Sequence, residues 1–246
     1  EISLGLVGSE MCIRDRLNRE EGDLWDTGDV ASDQSAYISY GGDMLDSRIQ
    51  CYWKVRVKTN KGISAWSEPA SWEMGLLHPS DWQAVWIGRA FPPDKLEGNT
   101  RVPARYLRKP FNLNSKKVRK ATLYICGLGF YEAYINGKKI GDQVLAPTPT
   151  DYSKSVKYNR FDVTGQLLKG ANAIGVILGN GRYTSMRMPG VRHFDVPKMI
   201  AQLEVYYEDG EKRVIASDAS WKITAEGPIG TNNEFDGEEY LSLIHI

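Results

Sequence analysis

The densest set of chemically active side chains in this 246-residue sequence is the stretch NEFDGEEY, residues 233–240. Its carboxylates belong to Glu234, Asp236, Glu238 and Glu239. Several carboxylate oxygens close together can bind a hard cation such as calcium, and two carboxylates at a suitable separation can act as acid and base in glycoside hydrolysis. A solvated loop that docks on a neighbouring domain explains the same residues without any chemistry. The stretch therefore predicts either a docking loop or a ligand site, with calcium as the cofactor left open.

A second candidate is the glycine-rich stretch LGNGRY, residues 178–183. It lacks the strand–GxGxxG–helix context of a dinucleotide site. The amide of Asn180 could bond sugar hydroxyls, the ring of Tyr183 could pack on sugar C–H groups, and Arg182 lies between them. The alternative is a plain turn from a strand into a loop. These three residues and the four carboxylates are the predicted carbohydrate-contacting or domain-docking residues, and no catalytic residue or metal-ligand set is predicted.

The composition favours a β-rich globular protein. Lys+Arg and Asp+Glu are both 31, so no charge imbalance points to nucleic acid or a membrane surface as a partner. The chain contains 7 Trp, 13 Tyr and 24 Gly, which suits strands joined by many turns. Cys12, Cys51 and Cys126 have no metal-ligand spacing, and the last two lie in apolar strand contexts typical of buried thiols.

The two ends of the chain share an unusual relation at the DNA level. One codon assignment for MCIRDR, residues 11–16, has a reverse complement that translates as LSLIHI, the sequence of residues 241–246. Such an inverted pair resembles the arms of a transposon-type sequencing adapter, read through at both ends. Residues 1–16 and 241–246 are therefore predicted to be non-biological, and they are excluded from the fold prediction as a tag would be.

The remaining sequence is organised as two all-β segments. Residues 17–77 are predicted to be the C-terminal part of a fibronectin type III-like sandwich, in which CYWKVRVKT, residues 51–59, is the clearest alternating strand. Residues 78–83 form a linker. Residues 84–240 show short alternating runs separated by turn signals, a pattern that predicts one β-sandwich of the jelly-roll type.

Local signals predict two hairpin turns and one short helix within the second segment. Asn136-Gly137 and Asp209-Gly210 each separate two strand-like runs and predict β-hairpins. Residues 162–170, DVTGQLLKG, predict a short helix, with Asp162 or Thr164 as its N-cap and Gly170 just beyond its end.

Several longer motifs occur together in this sequence. They are YLRKPFNL, LYICGLGFYEAYINGKKIGDQVLAPTPTDY, YNRFDVTGQLLKGANAIGVILGNGRY and EFDGEEY, preceded by WDTGDV, YWKVRVKT, WSEPASWEMGLL and DWQAVWIG. The combination resembles the N-terminal β domains of bacterial α-L-rhamnosidases over essentially all of residues 24–240. The sequence departs from that family after ILGNG, where Arg182 stands in place of the expected aromatic residue.

The resemblance implies a parent enzyme that removes terminal α-L-rhamnose from glycosides with inversion. In that family two carboxylates act on an (α/α)₆ barrel that follows the β domains, so no catalytic residue can be assigned to this chain. The implied partners are the downstream catalytic barrel and a rhamnose-containing glycan. The alternative is a carbohydrate-binding β-sandwich module of another multidomain glycan-active or adhesion protein.

Overall fold

A computed structural model of the chain describes residues 2–8, 22, 24–34, 36–89, 102–184, 195–234 and 237–241. The chain divides into two compact units, Glu1–Trp82 and Gln83–Ile246. The described residues form antiparallel strands and turns, together with two single-turn 3-10 helices at Pro79–Asp81 and Thr164–Gln166. The all-β prediction is confirmed. Within the described residues, no helix has the length and apolar character needed to cross a membrane.

The first unit contains one five-stranded antiparallel sheet. Its strands are β1 (Ile2–Gly8), β2 (Trp25–Val30), β3 (Gln50–Thr59), β4 (Gly62–Ile63) and β5 (Ala70–Glu73). The sheet has the order β2-β1-β3-β4, and β5 also pairs with β3. The strand predicted at residues 51–59 is thus confirmed as the centre of this sheet. Strand β1 lies within residues 1–16, whose adapter origin stays a prediction to be checked against flanking DNA.

Few of the first unit's residues whose burial the structure describes are buried. Among its described residues from 22 to 82, only Cys51, Lys54 and Leu76 are buried. The Lys54 ammonium and the Arg56 guanidinium each lie 4.6 Å from the ring centroid of Trp66. These cation–π contacts cover an aromatic ring that an apolar core would otherwise have to bury. Cation–π contacts at Trp66 therefore contribute to the packing of the described part of this unit.

A carboxylate closes the end of the first unit. Asp81 accepts hydrogen bonds from Ser47 Oγ at 2.5 Å, from Arg48 Nη1 at 2.6 Å and from the backbone nitrogen of His78 at 3.0 Å. Burial acts to raise the pKa of Asp81, but these hydrogen bonds outweigh burial and hold the pKa well below its usual range. The charged form of Asp81 is therefore the one that the fold stabilises.

We expect the Asp81 contacts to make the stability of the first unit acid-sensitive. A folded pKa below the unfolded value contributes stability above about pH 4, which is lost as the pH falls below that value. The Asp81→Asn variant should lose about 2 kcal/mol at pH 7 and less at pH 3. Urea unfolding followed by Trp fluorescence would measure this, because five of the seven Trp residues lie in this unit. Asp33→Asn, at an exposed carboxylate, is the matched control, and an equal loss at both pH values would contradict the prediction.

The second unit is a sandwich of two five-stranded antiparallel sheets. The strands are β6 (Ile87–Gly88), β7 (Arg105–Leu113), β8 (Val118–Leu128), β9 (Tyr131–Ile135), β10 (Lys138–Lys139), β11 (Asn159–Asp162), β12 (Gly170–Leu178), β13 (Lys198–Tyr207), β14 (Lys212–Ala216) and β15 (Lys222–Thr224). One sheet has the order β10-β9-β12-β7-β15, and the other has the order β11-β8-β13-β14 with β6 also paired to β13. A separate hairpin, β16 (Ile229–Asn233) and β17 (Gly237–Tyr240), follows.

Alternating side chains of the two sheets form one core. In β12, Ile174, Val176 and Leu178 are at most 2% exposed, while the residues between them are partly exposed. Strand β13 contributes the buried Leu203 and Val205 from the facing sheet. Burying a side chain of this size contributes roughly 1.5–3 kcal/mol before conformational entropy is subtracted. The period-two pattern thus fixes which face of each strand points inward and which remains available for a site.

The predicted turns have mixed outcomes. Both hairpins are confirmed: Asn136 and Gly137 have φ of 52° and 79°, which suits a type I′ turn, and Gly210 has φ of 88° between β13 and β14. The helix predicted over residues 162–170 is wrong in extent, since only Thr164–Gln166 is helical. The Thr164 hydroxyl accepts a hydrogen bond from the backbone nitrogen of Ala121 at 2.8 Å, and these tertiary bonds hold the turn against β8 instead of letting it continue.

Candidate functional site

The glycine-rich loop after β12 lies against the β16–β17 hairpin. Gly181 has φ of 53°, and a Cβ on it would lie 2.9 Å from the backbone nitrogen of Phe130. A Cβ on Gly179 would lie 2.7 Å from Oδ1 of Asn232 on β16. Both positions therefore require glycine, because the loop passes too close to neighbouring chain segments for any side chain. This close approach brings the two sequence-predicted stretches together.

Asn180 fastens the loop to two other segments. Its side-chain nitrogen donates to the carbonyl oxygens of Val102 at 2.6 Å and Asn232 at 2.8 Å, and its Oδ1 accepts from Arg105 Nη1 at 3.1 Å. Its backbone nitrogen donates to Asn232 Oδ1 at 2.6 Å. Asn180 is 2% exposed. Its amide is thus fully committed to holding the loop, and it is not presented to a ligand from solvent.

Arg182 and Glu234 join the loop to the hairpin at the surface. Nε of Arg182 donates to Oε2 of Glu234 at 2.6 Å, and Nη2 donates to Oε1 at 2.5 Å, so the pair is bidentate. The hydrogen bonds to Glu234 raise the pKa of the Arg182 guanidinium. The ion pair occupies both oxygens of Glu234 and neutralises the charge it would bring to a cation or a reacting group.

Tyr183 is also placed inside the fold. It is 9% exposed, and its ring meets that of Tyr152 edge-on, with 5.2 Å between centroids and an interplanar angle of 87°. This T-shaped contact is a favourable aromatic geometry. The predicted stacking of a sugar on Tyr183 therefore has no open ring face to use in this arrangement.

The other acidic residues are placed differently. Glu238 and Glu239 lie on β17 with exposed side chains, and Glu238 lines a surface cavity. Asp236 lies outside the described residues. Among the residues that the structure describes, no group of three or more His, Cys, Asp or Glu side chains is close enough to hold a metal ion. Calcium at this stretch stays a prediction that rests on the sequence alone.

The cavity beside the hairpin has a volume of about 530 Å³ and marks the candidate site. Its floor includes Ile177 and the glycines of the loop, and its polar groups include Asn233 and Glu238. Three exposed apolar residues line it as well: Val144 is 77% exposed, Leu145 is 64% exposed and Tyr240 is 63% exposed. A cluster of exposed apolar side chains around a concavity is typical of a surface that receives a partner.

The sequence reasoning did not single out Val144 and Leu145. Both lie in a turn-rich segment before the Ala146–Pro147 peptide, and Leu145 has φ of 54°, an unusual conformation for a leucine. Two apolar residues in a row within an otherwise polar loop, GDQVLAP, were the available signal. A non-glycine residue held in the left-handed region indicates that the surrounding structure fixes this position.

The two cysteines described by the structure take no part in the site. Cys51 and Cys126 are buried and are not joined in a disulfide, which confirms their prediction as buried thiols. Burial raises the pKa of the Cys126 thiol to about 12. A thiol so rarely ionised at neutral pH is a poor nucleophile.

The fold and the site define a class: a two-unit, all-β protein whose second unit is a β-sandwich with a partly apolar surface cavity. Two family models match the chain. The model described as alpha-L-rhamnosidase N-terminal domain matches residues 116–242, and the model described as Rha78A-like, N-terminal immunoglobulin domain matches residues 9–78. The chain belongs to the family of α-L-rhamnosidase N-terminal domains.

Relatives support this assignment over most of the chain. An α-L-rhamnosidase from Formosa agariphila is 38% identical over 263 residues, covering 96% of this chain and 27% of that protein. The structure of α-L-rhamnosidase from Dictyoglumus thermophilum has a TM-score of 0.81 at 39% identity, covering 97% of this chain and 27% of that one. An Aspergillus terreus α-L-rhamnosidase structure has a TM-score of 0.78 at 31% identity, covering 97% and 26%. This chain spans about a quarter of the length of these relatives.

Proposed function

We propose that this chain is a non-catalytic N-terminal part of an enzyme that hydrolyses terminal α-L-rhamnose from glycosides. Its task in that enzyme is to position the catalytic domain. The observation that carries the proposal is the length relation: α-L-rhamnosidases align with nearly all of this chain but only about a quarter of themselves. The chemistry then belongs to the other three quarters of such an enzyme.

The side chains of the candidate site fit this division of work. Inverting hydrolysis needs one carboxylic acid and one carboxylate base on opposite faces of the sugar. Among the described residues of the site, Glu234 is held by Arg182, and Glu238 and Glu239 are exposed on one short strand. An exposed carboxylate keeps its ordinary solvation and gains none of the desolvation that suits a general acid.

The docking surface that we propose consists of Val144, Leu145 and Tyr240 around the 530 Å³ cavity. Its proposed occupant is the domain that follows the matched region in the longer relatives. Tyr240 is on the last described strand, so a continuing chain would leave the sandwich beside this cavity. Contact with a glycan at the same site is a finer part of the proposal, and the polar side chains that line the cavity there include Asn233 and Glu238.

A fusion protein tests the non-catalytic role of this chain and its docking surface. This chain is joined to the segment that follows the matched region in the Formosa agariphila relative. We expect the fusion to release rhamnose from an aryl α-L-rhamnoside and the chain alone to release none. Changing both Val144 and Leu145 to Ser should lower the Tm of the fusion by about 4 °C, because their contact with the catalytic domain is lost.

The matched control for docking is Leu168→Ser. Leu168 is 58% exposed, close to the 64% of Leu145, but it does not line the cavity. Turnover by the chain alone would overturn its non-catalytic role. Equal Tm values for the double variant and the Leu168 control would remove this surface as the docking site.

A further inference from the structure

A second surface of the β-sandwich has the features of a binding groove, and it lies on the outer face of the sheet β10-β9-β12-β7-β15. Four residues form a straight row across this face, because the strand registers pair Tyr134 with Gly175, Gly175 with Arg108, and Arg108 with Lys222. All four line a cavity of about 520 Å³. That volume is in the range of about 300–1,000 Å³ typical of small-molecule sites.

Gly175 forms the floor of this groove, and nothing in the chain itself requires glycine there. Its φ is outside the left-handed region, and a Cβ on it would meet only the carbonyl oxygen of Leu107, at 4.0 Å. Strand β12 pairs with β7 and β9 without a register shift, so Gly175 does not mark a bulge. Glycine inside a strand weakens the strand. Since neither a positive φ, a clash nor a bulge accounts for Gly175, the reason left is the close approach of another group to the backbone. Here the open space faces outward.

Two cations stand side by side beside that floor. Arg108 and Lys222 are exposed and directly opposite each other on β7 and β15. Like charges in this position destabilise a sheet. No described residue forms an ion pair with either. The sheet thus carries an uncompensated pair of positive charges that folding alone does not explain.

A carboxylate bonded to Tyr134, a member of the row, is already paired with a lysine. Glu132 accepts hydrogen bonds from Lys139 and from the hydroxyl of Tyr134, and the bonds from Lys139 and Tyr134 lower the pKa of its carboxyl group. The same bond holds the Tyr134 ring in place at one end of the groove. Arg108 and Lys222 are therefore the only charged side chains among the residues that line the groove, although the whole chain has equal numbers of acidic and basic residues.

A second aromatic ring, that of Tyr106, also lines the groove and has contacts that hold it in place. The Tyr106 oxygen accepts a hydrogen bond from the backbone nitrogen of Ile229 at 3.3 Å. A Cβ on Gly227 would lie 2.0 Å from the Tyr106 ring, so the backbone at Gly227 packs directly against it. Both tyrosines use their hydroxyls within the protein and offer their rings to the groove. Fixed side chains of this kind lose little entropy when a ligand binds.

We propose that this groove binds an anionic saccharide. The C–H faces of a sugar ring pack over Gly175 between Tyr134 and Tyr106, and its carboxylate or sulfate bonds Arg108 and Lys222. Arginine is suited to this role because its planar fork binds two oxygens at once. Among the residues that line the groove only Arg108 and Lys222 are cations, too few for the long basic stripe that a nucleic acid would need. The groove shares Ile177 with the cavity of the proposed docking surface, but none of the four residues of the row lines that cavity, and the proposal does not depend on docking there.

Calorimetry with the whole chain tests the assignment. The probes are trigalacturonate for the carboxylate source, a sulfated disaccharide for the sulfate source, and neutral L-rhamnose as the uncharged comparison. We expect one or both acidic probes to bind at least ten times more tightly than L-rhamnose, and the binding to weaken as salt is raised. Equal affinity for acidic and neutral probes, or no binding of either acidic probe at millimolar concentration, would overturn the proposal.

Gly175→Val separates binding from folding. Valine suits a strand and meets open space here, so the variant should unfold at a Tm equal to or above that of the unmodified protein. It should nevertheless bind the acidic probe at least ten times more weakly, because its methyl groups fill the groove. Undiminished binding by a folded Gly175→Val protein would contradict the assignment.

Removing the two charges gives an independent check. Replacing Arg108 and Lys222 together by Gln should abolish the preference for acidic probes and its salt dependence, without lowering the Tm. Lys169→Gln is the matched control, since Lys169 is an exposed cation that does not line the groove. If Lys169→Gln lost as much affinity for the acidic probe as the double variant, only the overall charge of the chain would matter, and the proposal would be wrong.

Discussion

The Gly129→Ala variant should lose about 2–5 kcal/mol of the free energy of unfolding of the second unit. Gly129 has φ of 123°, where an L-residue is strained by about 1–2 kcal/mol. In addition, a Cβ on it would lie 2.1 Å from the carbonyl oxygen of Gly179. That oxygen cannot easily retreat, because the backbone nitrogen of Gly179 donates to Phe130 at 2.7 Å. Overpacking of this kind adds about 1–3 kcal/mol.

Gly210→Ala is the control that isolates the clash. Gly210 also has a positive φ, 88°, but nothing lies within 4 Å of a Cβ built on it. It should therefore show the backbone strain alone, about 1–2 kcal/mol. Urea unfolding of both variants, followed by circular dichroism, gives the comparison. If the two variants lose the same amount, the contact between Gly129 and Gly179 does not restrict the loop as described.

The local signals in the sequence predict those parts of the fold that depend on a few neighbouring residues. Asn136-Gly137 forms its hairpin because both residues tolerate positive φ, and the tertiary hydrogen bonds of Asn136 agree with this local preference. Residues 162–170 fail as a helix for the opposite reason. There the buried Val163 and the bond from Ala121 to Thr164 are tertiary contacts, and they override a weak local preference.

The candidate site shows the same limit. The sequence marks Asn180, Arg182 and Glu234 as candidates in two separate stretches without predicting that the stretches meet, and in the structure Arg182 bonds Glu234 while Asn180 bonds the neighbouring Asn232. The sequence does not reveal that Asn180 points inward while Arg182 points outward, because a loop has no repeating pattern of buried and exposed positions. The row of Tyr134, Gly175, Arg108 and Lys222 is even harder to predict from the sequence. Its members come from four strands, and only the pairing registers align them.

The structure assigns unlike tasks to adjacent residues of one glycine-rich loop, and this has a physical basis. Burying Asn180 is favourable because each of its polar atoms has a partner in the fold. Its neighbour Arg182 keeps its charge at the surface, where a carboxylate and water both stabilise it. A substitution at either position should therefore report on a different property of the molecule.

Replacing Asn180 by alanine should lower the free energy of unfolding of the second unit by about 2–4 kcal/mol. The change leaves the carbonyl oxygens of Val102 and Asn232 without their donor, and each buried unsatisfied group costs about 1–3 kcal/mol. It also removes the acceptor that faces the buried guanidinium of Arg105. Burial, followed by repulsion from Arg89, already lowers the pKa of Arg105 to about 10, so this cation has little solvation to replace the lost bond.

Arg182→Ala is the matched control, two residues along the same loop. Its ion pair with Glu234 is at the surface, and exposed pairs contribute about 1 kcal/mol or less. Urea unfolding at low and high salt measures both variants. We expect the Asn180 loss to be independent of salt and the small Arg182 loss to shrink as salt screens the pair. A loss at Asn180 no larger than that at Arg182 would mean that the loop is held by its glycines alone, and that the buried amide merely fills space.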